Sequence, residues 1–266
     1  MVVQNDIDRG IFQQGLDNLV EWSEEWQMLF NVDKCHIIHA GRNNRNFEYN
    51  MGGRTLLEVD AEKDVGVMLH KSFKPSIHCA KAAAKANAVL GQLSRGVSYR
   101  DSKTFIGQYK TFVRQHLEYC AQAWSPWNLG DINKIESVQK RAVAMVTDLR
   151  GRSYEERLAE LGMVTLETRR QRGDLIQAYK VLSGKDRVDA SKWFSFAQPR
   201  EVGATTRALT GRLNVIRNEG RTEVRRNFWS VRVCDQWNSL PDHVKEQETT
   251  NGFKNALDNF MFGQQP

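Results

Sequence analysis

Residues 78–95 read HCAKAAAKANAVLGQLSR, and this alanine-rich stretch decides the fold class of the chain. Alanine is the strongest helix former, so the run predicts a helix from His78 to Arg95. At 3.6 residues per turn, Lys81, Lys85 and Arg95 share one side of that helix with Ala88 and Gln92. The small side chains predict close packing against a neighbouring helix, at Ala80, Ala83, Ala84 and Ala88.

The chain changes character at Pro75. Before it, the pattern predicts one helix and several short strands, and after it mostly helices. The fold class predicted is therefore α+β, mostly α. The predicted strands are Cys35–His39, Phe47–Met51, Arg54–Val59 after a Gly52-Gly53 turn, and Lys63–Leu69. Further helices are predicted at Phe12–Met28, Asp131–Arg150, Leu166–Ser183 and Phe253–Phe260. Another begins at an Asp101 cap and carries the apolar or aromatic stripe Phe105, Tyr109, Phe112, His116 and Cys120. A Ser153 capping box starts a helix that ends at Gly162, and a helical region from Arg221 is broken by Pro241.

Composition narrows the classes of function. Charged residues make up 26% of the 266 residues and hydrophobic residues 40%. These proportions are typical of a globular protein. No apolar run approaches the roughly 18 to 20 residues that span a bilayer, so no membrane partner is expected. The four cysteines are far apart. Such spacing favours reduced thiols in an intracellular protein, nuclear or cytoplasmic.

Charge is unevenly distributed along the chain. Residues 1–70 hold 6 Lys+Arg against 12 Asp+Glu, and the rest holds 32 against 20. The basic part favours a polyanionic partner, although scattered cations also solvate helical surfaces. Arg169, Arg170 and Arg172 crowd the first half of a predicted helix, where they oppose the helix dipole. Either an anionic ligand or a neighbouring acidic helix would explain them.

Two pairs at four-residue spacing raise the question of zinc. His116 and Cys120 share a helix face, and Cys35 and His39 share a strand face. No third and fourth ligands cluster nearby, so core packing is the better interpretation and no metal site is predicted.

Six long phrases follow one another along the chain. They are WSEEWQMLFNVDKCHIIHAG, EKDVGVML, HCAKAAAKANAVLG, SYRDSKTFIGQYKTFVRQHLEYCAQAWSPW, SYEERLAELGMVTLETRRQRGDLIQAYKVLSG and SVRVCDQWNSLPDHV. In this order and spacing the chain resembles the C-terminal portion of reverse transcriptases from LINE-type (non-LTR) retrotransposons, of the chicken-repeat and jockey-like groups. The resemblance covers about Phe12 to Phe260.

The resemblance implies a polymerase that this chain does not complete. The family's palm carries an Asp-Asp hairpin that binds two Mg²⁺ ions for nucleotidyl transfer. This sequence contains no Asp-Asp pair. We therefore expect no cofactor in this chain and no polymerase activity on its own, with the hairpin lying upstream in the family.

The resemblance also implies roles for particular residues. Lys34 matches a palm lysine that is a candidate general acid for the leaving pyrophosphate, idle here without the aspartates. Lys63, Gly66 and Lys74 fall at or beside the primer grip. The thumb would contact nucleic-acid phosphates through Lys81, Lys85 and Arg95, with Arg169, Arg170 and Arg172 as further candidates.

The expected organisation has three regions. Residues 1–72 match the end of the palm, 73–184 a helical thumb, and 185–266 a basic, loop-rich and helical C-terminal region. The expected partners are an RNA–DNA or RNA duplex, bound weakly, and the palm and fingers part of the polymerase. The alternative is a host-retained nucleic-acid-binding or protein-interaction module without polymerase activity.

Overall fold

A computed structural model describes residues 3–41, 43–196 and 214–263 of the chain. The chain divides into two compact units, Met1–His78 and Cys79–Pro266. Helices dominate and the strands are short, which confirms the α+β, mostly α prediction at that level. The stretch QPREVGATTRALTGR, expected to form loops or short strands, lies outside the described residues. The assignment of palm, thumb and C-terminal regions stays a prediction.

Helix α1 of the first unit spans Asp6–Glu25 and so begins before the apolar pattern that predicts it. The Asn5 side chain accepts a hydrogen bond from the backbone N–H of Asp8 at 2.8 Å. This bond caps the helix start. The carboxylates of Asp6 and Asp8 lie in the first turn, where their negative charge interacts favourably with the positive end of the helix dipole. Much of the apolar face of α1 stays exposed, at Phe12, Leu19, Trp22 and Trp26.

The strands in the described residues of the first unit form three small two-stranded sheets. They are β1 His36–Ile37, β2 Asn50–Met51, β3 Arg54–Thr55, β4 Leu57–Glu58, β5 Ala61–Asp64 and β6 Val67–His70. Strand β1 pairs in parallel with β4. It is two residues long, shorter than the predicted strand Cys35–His39. The pairing of β2 with β3 confirms the Gly52-Gly53 turn, where both glycines have positive φ.

The predicted single strand Lys63–Leu69 is wrong. Strands β5 and β6 form an antiparallel hairpin whose two-residue turn is Val65-Gly66. Val65 has φ 42° and Gly66 has φ 89°. Both turn residues are therefore left-handed, as tight hairpin turns require. The glycine reverses the chain instead of forming a bulge within one strand.

His78 holds the hairpin to the start of the next helix. Its Nδ1 accepts the backbone N–H of Met68 in β6 at 3.1 Å, so the ring is used as a neutral acceptor. Burial lowers the pKa of His78 below its usual value near 6.5.

Acidification should therefore weaken the first unit through His78. A folded-state pKa below the unfolded value means that the unfolded chain binds the proton more readily, so stability falls as the pH drops below about 6.5. Glutamine keeps a hydrogen-bond acceptor but does not titrate. From about pH 7.5 to pH 5.5, the urea concentration at the midpoint of unfolding should therefore fall less for His78→Gln than for the wild type. The exposed His243→Gln is the matched control. Equal losses in the wild type and His78→Gln would contradict this assignment.

The helices of the second unit and its flanks follow α1 in chain order. They are α2 Ser76–Gly96, α3 Thr104–Gln108, α4 Gln115–Glu118, α5 Ala121–Trp124, α6 Leu129–Ala144, α7 Tyr154–Glu160, α8 Leu166–Leu182, α9 Glu223–Arg226, α10 Trp229–Arg232, α11 Cys234–Ser239, α12 Asp242–Lys245 and α13 Thr250–Phe262. Short 3-10 turns lie at Val32–Lys34, Thr147–Leu149 and Ala190–Lys192. Strands β7 Ser195–Phe196 and β8 Val215–Ile216 pair antiparallel.

Helix α2 confirms the helix predicted from the alanine-rich run. Its packing face differs from the prediction, because Ala80, Ala84 and Ala88 are exposed and only Ala83 of the four named alanines is buried. The buried side is completed by Cys79, Ala82, Ala86 and Leu90. The large side chain of Leu90 and its neighbours at helical spacing decide which face turns inward.

The helix predicted after Asp101 is interrupted. Asp101 accepts the backbone N–H of Thr104 at 2.7 Å, as expected for a cap. A π-helical turn then occupies Tyr109–Val113, and Cys120 has φ 52° in a left-handed bend. The π turn adds a residue and shifts the buried face, so the predicted stripe positions Phe112 and Cys120 are exposed. The buried positions after Tyr109 are Val113, Leu117 and Ala121.

A core of aromatic and aliphatic residues joins α8 to the C-terminal helices. Tyr179 of α8 stacks on Phe253 of α13 with ring centroids 4.2 Å apart. The Tyr179 hydroxyl donates to the carbonyl of Gln247, which satisfies its polar end inside the core. Pro241 ends the preceding helical stretch as predicted and stands at the start of α12.

An ion pair with a buried carboxylate lies at the edge of this core. The Arg232 guanidinium of α10 donates to Asp174 of α8 through Nε at 2.9 Å and Nη2 at 3.0 Å. The same Nη2 reaches the carbonyl of Gln122 at 3.2 Å, at α5. One arginine side chain thus connects three helices that are distant in sequence.

Candidate nucleic-acid interface

Helix α2 presents a basic face to solvent. Lys81, Lys85 and Arg95 are all exposed, together with Ala88 and Gln92, as the helical spacing predicts. The helix contains no Asp or Glu. The three cations extend over about 21 Å of helix at roughly 1.5 Å per residue. Exposed alanines between them leave the helix backbone open to close approach by a ligand.

The candidate residues of the first unit are also exposed. Lys34 ends the 3-10 turn Val32–Lys34, between α1 and β1. Lys63 lies in β5, Gly66 in the hairpin turn, and Lys74 follows the hairpin. The positive φ of Gly66 belongs to a turn, so a close approach of its backbone to a primer strand stays a prediction.

The three arginines of α8 have different environments. Arg169 forms an ion pair with Glu118 of α4, including an Nη2–Oε2 hydrogen bond of 3.0 Å. Arg172 pairs with Asp258 of α13 through two hydrogen bonds, one of 2.8 Å. The sequence left two explanations for these arginines, an anionic ligand or acidic neighbours. The structure shows acidic neighbours for Arg169 and Arg172. Contact of either residue with nucleic acid stays a prediction.

Arg170 does not lie on the surface with its neighbours. Its side chain is 4% exposed, and neither Nη atom has a hydrogen-bond partner among the described residues. Burial lowers the pKa of Arg170, with Glu136 and Glu167 opposing the shift. A nucleic-acid phosphate would reach this guanidinium only after a movement of the helix.

A cationic cleft lies beside Arg169 and Arg172. Lys110 of the π turn and Arg114 also line this cleft, which has a volume of about 540 Å³. Burial lowers the pKa of Lys110, and Arg114 and Arg169 lower it further. Neither Lys110 nor Arg114 is among the residues predicted to bind. Their four-residue spacing is the sequence signal for a shared helix face.

The cysteine and histidine pairs show no wider cluster. Among the described residues, no group of three or more His, Cys, Asp or Glu side chains is placed to hold a metal ion. All four cysteines are free thiols. The Cys35 thiol donates to the carbonyl of Asn31 at 3.4 Å. No helix in the described parts of the chain is long and apolar enough to cross a bilayer.

The sequence shows a distant similarity to one reverse transcriptase. It is 22% identical over 139 residues to the RNA-directed DNA polymerase from mobile element jockey of Drosophila melanogaster. The match covers 51% of this chain and only 15% of that relative. No family model matches the chain, and no solved structure matches it. The comparison supports a reverse-transcriptase-like relation and leaves the finer assignments to be proposed.

Arg232 and Arg170 of the second unit should respond oppositely to removal of their charge. Arg232→Met leaves Asp174 buried without its partner, so we expect a loss of about 3–5 kcal/mol in unfolding free energy. Arg170→Met removes two unsatisfied nitrogens, so stability should be retained or raised. Urea unfolding of both variants checks this. A loss of several kcal/mol for Arg170→Met would show that its guanidinium is satisfied in solution.

Proposed function

We propose that this chain is a segment of a reverse-transcriptase-related polymerase whose helical part binds an RNA–DNA or RNA duplex. The observation that carries the proposal is the exposed, acid-free face of α2 with Lys81, Lys85 and Arg95. The similarity to a jockey polymerase supplies the class of partner. In this proposal residues 73–184 act as the thumb.

The geometry of α2 suits a backbone-tracking contact. About 21 Å of helix corresponds to roughly six base pairs of duplex at about 3.4 Å per step. Lysine and arginine bind phosphates by charge and hydrogen bonding, without reading the bases. Exposed Ala84 and Ala88 offer no steric obstacle between the cations. The expected binding is weak, salt-sensitive and insensitive to sequence.

The proposed role of the chain in catalysis is passive. Nucleotidyl transfer in the family needs aspartates that hold two Mg²⁺ ions, and the sequence lacks an Asp-Asp pair. Lys34 is exposed in a turn and is proposed to be idle in this chain. A palm and fingers segment that carries the aspartates would be the protein partner in this proposal.

A second candidate function is protein interaction. The observation that favours it is the apolar face of α1, where Trp22 is 44% and Trp26 is 62% exposed. An exposed stripe of this kind often marks a contact surface. A host-retained interaction module would use this face and would show no salt-dependent affinity for duplex.

Removing two cations from α2 tests the duplex proposal. We expect Lys81→Ala/Lys85→Ala to weaken binding to an RNA–DNA duplex and to reduce the slope of log K against log salt by about two, near 0.9 for each lost phosphate contact. Fluorescence anisotropy at four salt concentrations measures both quantities.

The matched control removes two exposed lysines elsewhere, Lys103→Ala/Lys185→Ala. It lowers the net charge equally and should leave the slope within about half a unit of the wild type. Equal effects of both double variants would reject α2 as the interface. Duplex binding with no salt dependence would reject the proposed function.

A further inference from the structure

The cleft between the π turn and α8 has a strongly cationic lining. Lys110 and Arg114 come from one side, and Arg169 and Arg172 from α8. Helix α13 closes the cleft with Asp258 and its neighbours. Four basic side chains therefore converge from two distant parts of the sequence on one concave surface.

The charges in this cleft do not balance. Two carboxylates serve the four cations, since Glu118 pairs with Arg169 and Asp258 with Arg172. Arg114 has only a shared contact with Glu118, at 3.6 Å. No carboxylate pairs with Lys110 among the residues that the structure describes, and its pKa is lowered by burial and by the positive charges of Arg114 and Arg169. The cleft therefore carries an excess of two positive charges.

A smaller neighbouring cavity adds a third arginine to this group, beside Glu118. It has a volume of about 210 Å³, shares Arg169 and Arg172 with the larger cleft, and adds Arg170. Arg170 is buried, and both of its Nη atoms are unpaired within the described residues. Packing cations together in a partly buried place costs free energy unless an anion offsets it.

We propose that the larger cleft is a binding site for a phosphate dianion, carried by a phosphomonoester or free as inorganic phosphate. An excess of two positive charges matches the charge of about −1.5 to −2 on a phosphate monoester better than the single charge of a carboxylate. Arginine forks also match phosphate geometry in two-point contacts. The site does not depend on duplex binding by α2.

The size and the apolar walls of the cleft leave room for an organic substituent. The cleft has a volume of about 540 Å³. This value falls in the range of small-molecule sites, roughly 300–1,000 Å³. Met163, Val164 and Phe262 supply apolar surface beside the cations. A nucleotide-sized phosphomonoester would place its phosphate against Lys110 and Arg114 and its remaining atoms against these side chains.

Calorimetric titration of the full chain in phosphate-free buffer tests the site. The probes are inorganic phosphate, adenosine 5′-monophosphate and, as a control without phosphate, adenosine. We expect saturable binding of the first two and none of adenosine. Equal affinities for inorganic phosphate and the monophosphate would mean that the site recognises phosphate alone. Tighter binding of the monophosphate would mean that the apolar wall also contributes to affinity. Failure of both phosphate probes to saturate, or binding of adenosine with the same affinity, would overturn the proposal.

Lys110→Met removes the unpaired charge and keeps the length of the side chain. It should weaken phosphate binding about tenfold, the effect of one charge-assisted hydrogen bond of roughly 1.4 kcal/mol. Lys103→Met, an exposed lysine close by in sequence, should change the affinity less than about twofold and controls for net charge. Equal losses in the two variants would overturn the assignment of the cleft.

A variant that should bind phosphate more tightly distinguishes a change in the site from damage to the fold. Asp258→Asn removes one of the two carboxylates and frees Arg172, so phosphate should bind severalfold more tightly than to the wild type. Circular dichroism checks that the helices are intact. A destabilised protein would not gain affinity, so tighter binding supports the site and unchanged or weaker binding by a folded variant contradicts it.

Discussion

The ion pair between Asp174 and Arg232 is the constraint on which the arrangement of the second unit depends. Asp174 is 5% exposed, and burial raises the pKa of this carboxyl while Arg232 opposes the rise. A buried carboxylate without a partner is costly, so α8 and α10 must pack where the guanidinium can reach it. The same guanidinium satisfies the carbonyl of Gln122. Helices α5, α8 and α10 are thereby fixed in one mutual position.

Fixing α8 also fixes the cationic surface. The helix buries Leu175 and Tyr179 among the C-terminal helices, while Arg169 and Arg172 project towards Glu118 and Asp258. Each of these arginines is neutralised by a carboxylate from a different element, and the cleft keeps its excess charge on Lys110 and Arg114. The basic face of α2 is different, because its cations lie on an open helix surface. The second unit thus has a concave cationic surface and an extended one.

Local patterns were predictable where a single element decides the outcome. The alanine run marks α2 within two residues at each end, and the Ser153 capping box forms as expected. The π turn at Tyr109–Val113 was not predictable, since the stripe ending at Cys120 is as regular as the buried one. The ion pair of Arg172 with Asp258 joins residues 86 apart, and only the tertiary fold brings them together. The hairpin at Val65-Gly66 was not predictable, because the apolar Val65 in its turn makes the sequence resemble one uninterrupted strand.

In the proposed function, nucleic acid binds along the exposed face of α2. Chemical modification of lysines in the full chain, with and without an RNA–DNA duplex and followed by mass spectrometry, tests it most directly. The duplex should protect Lys81 and Lys85 at low salt, and this protection should be lost as salt is raised. Lys103 and Lys185 should react equally in both samples. Equal modification of Lys81 and Lys85 with and without bound duplex would contradict the claim.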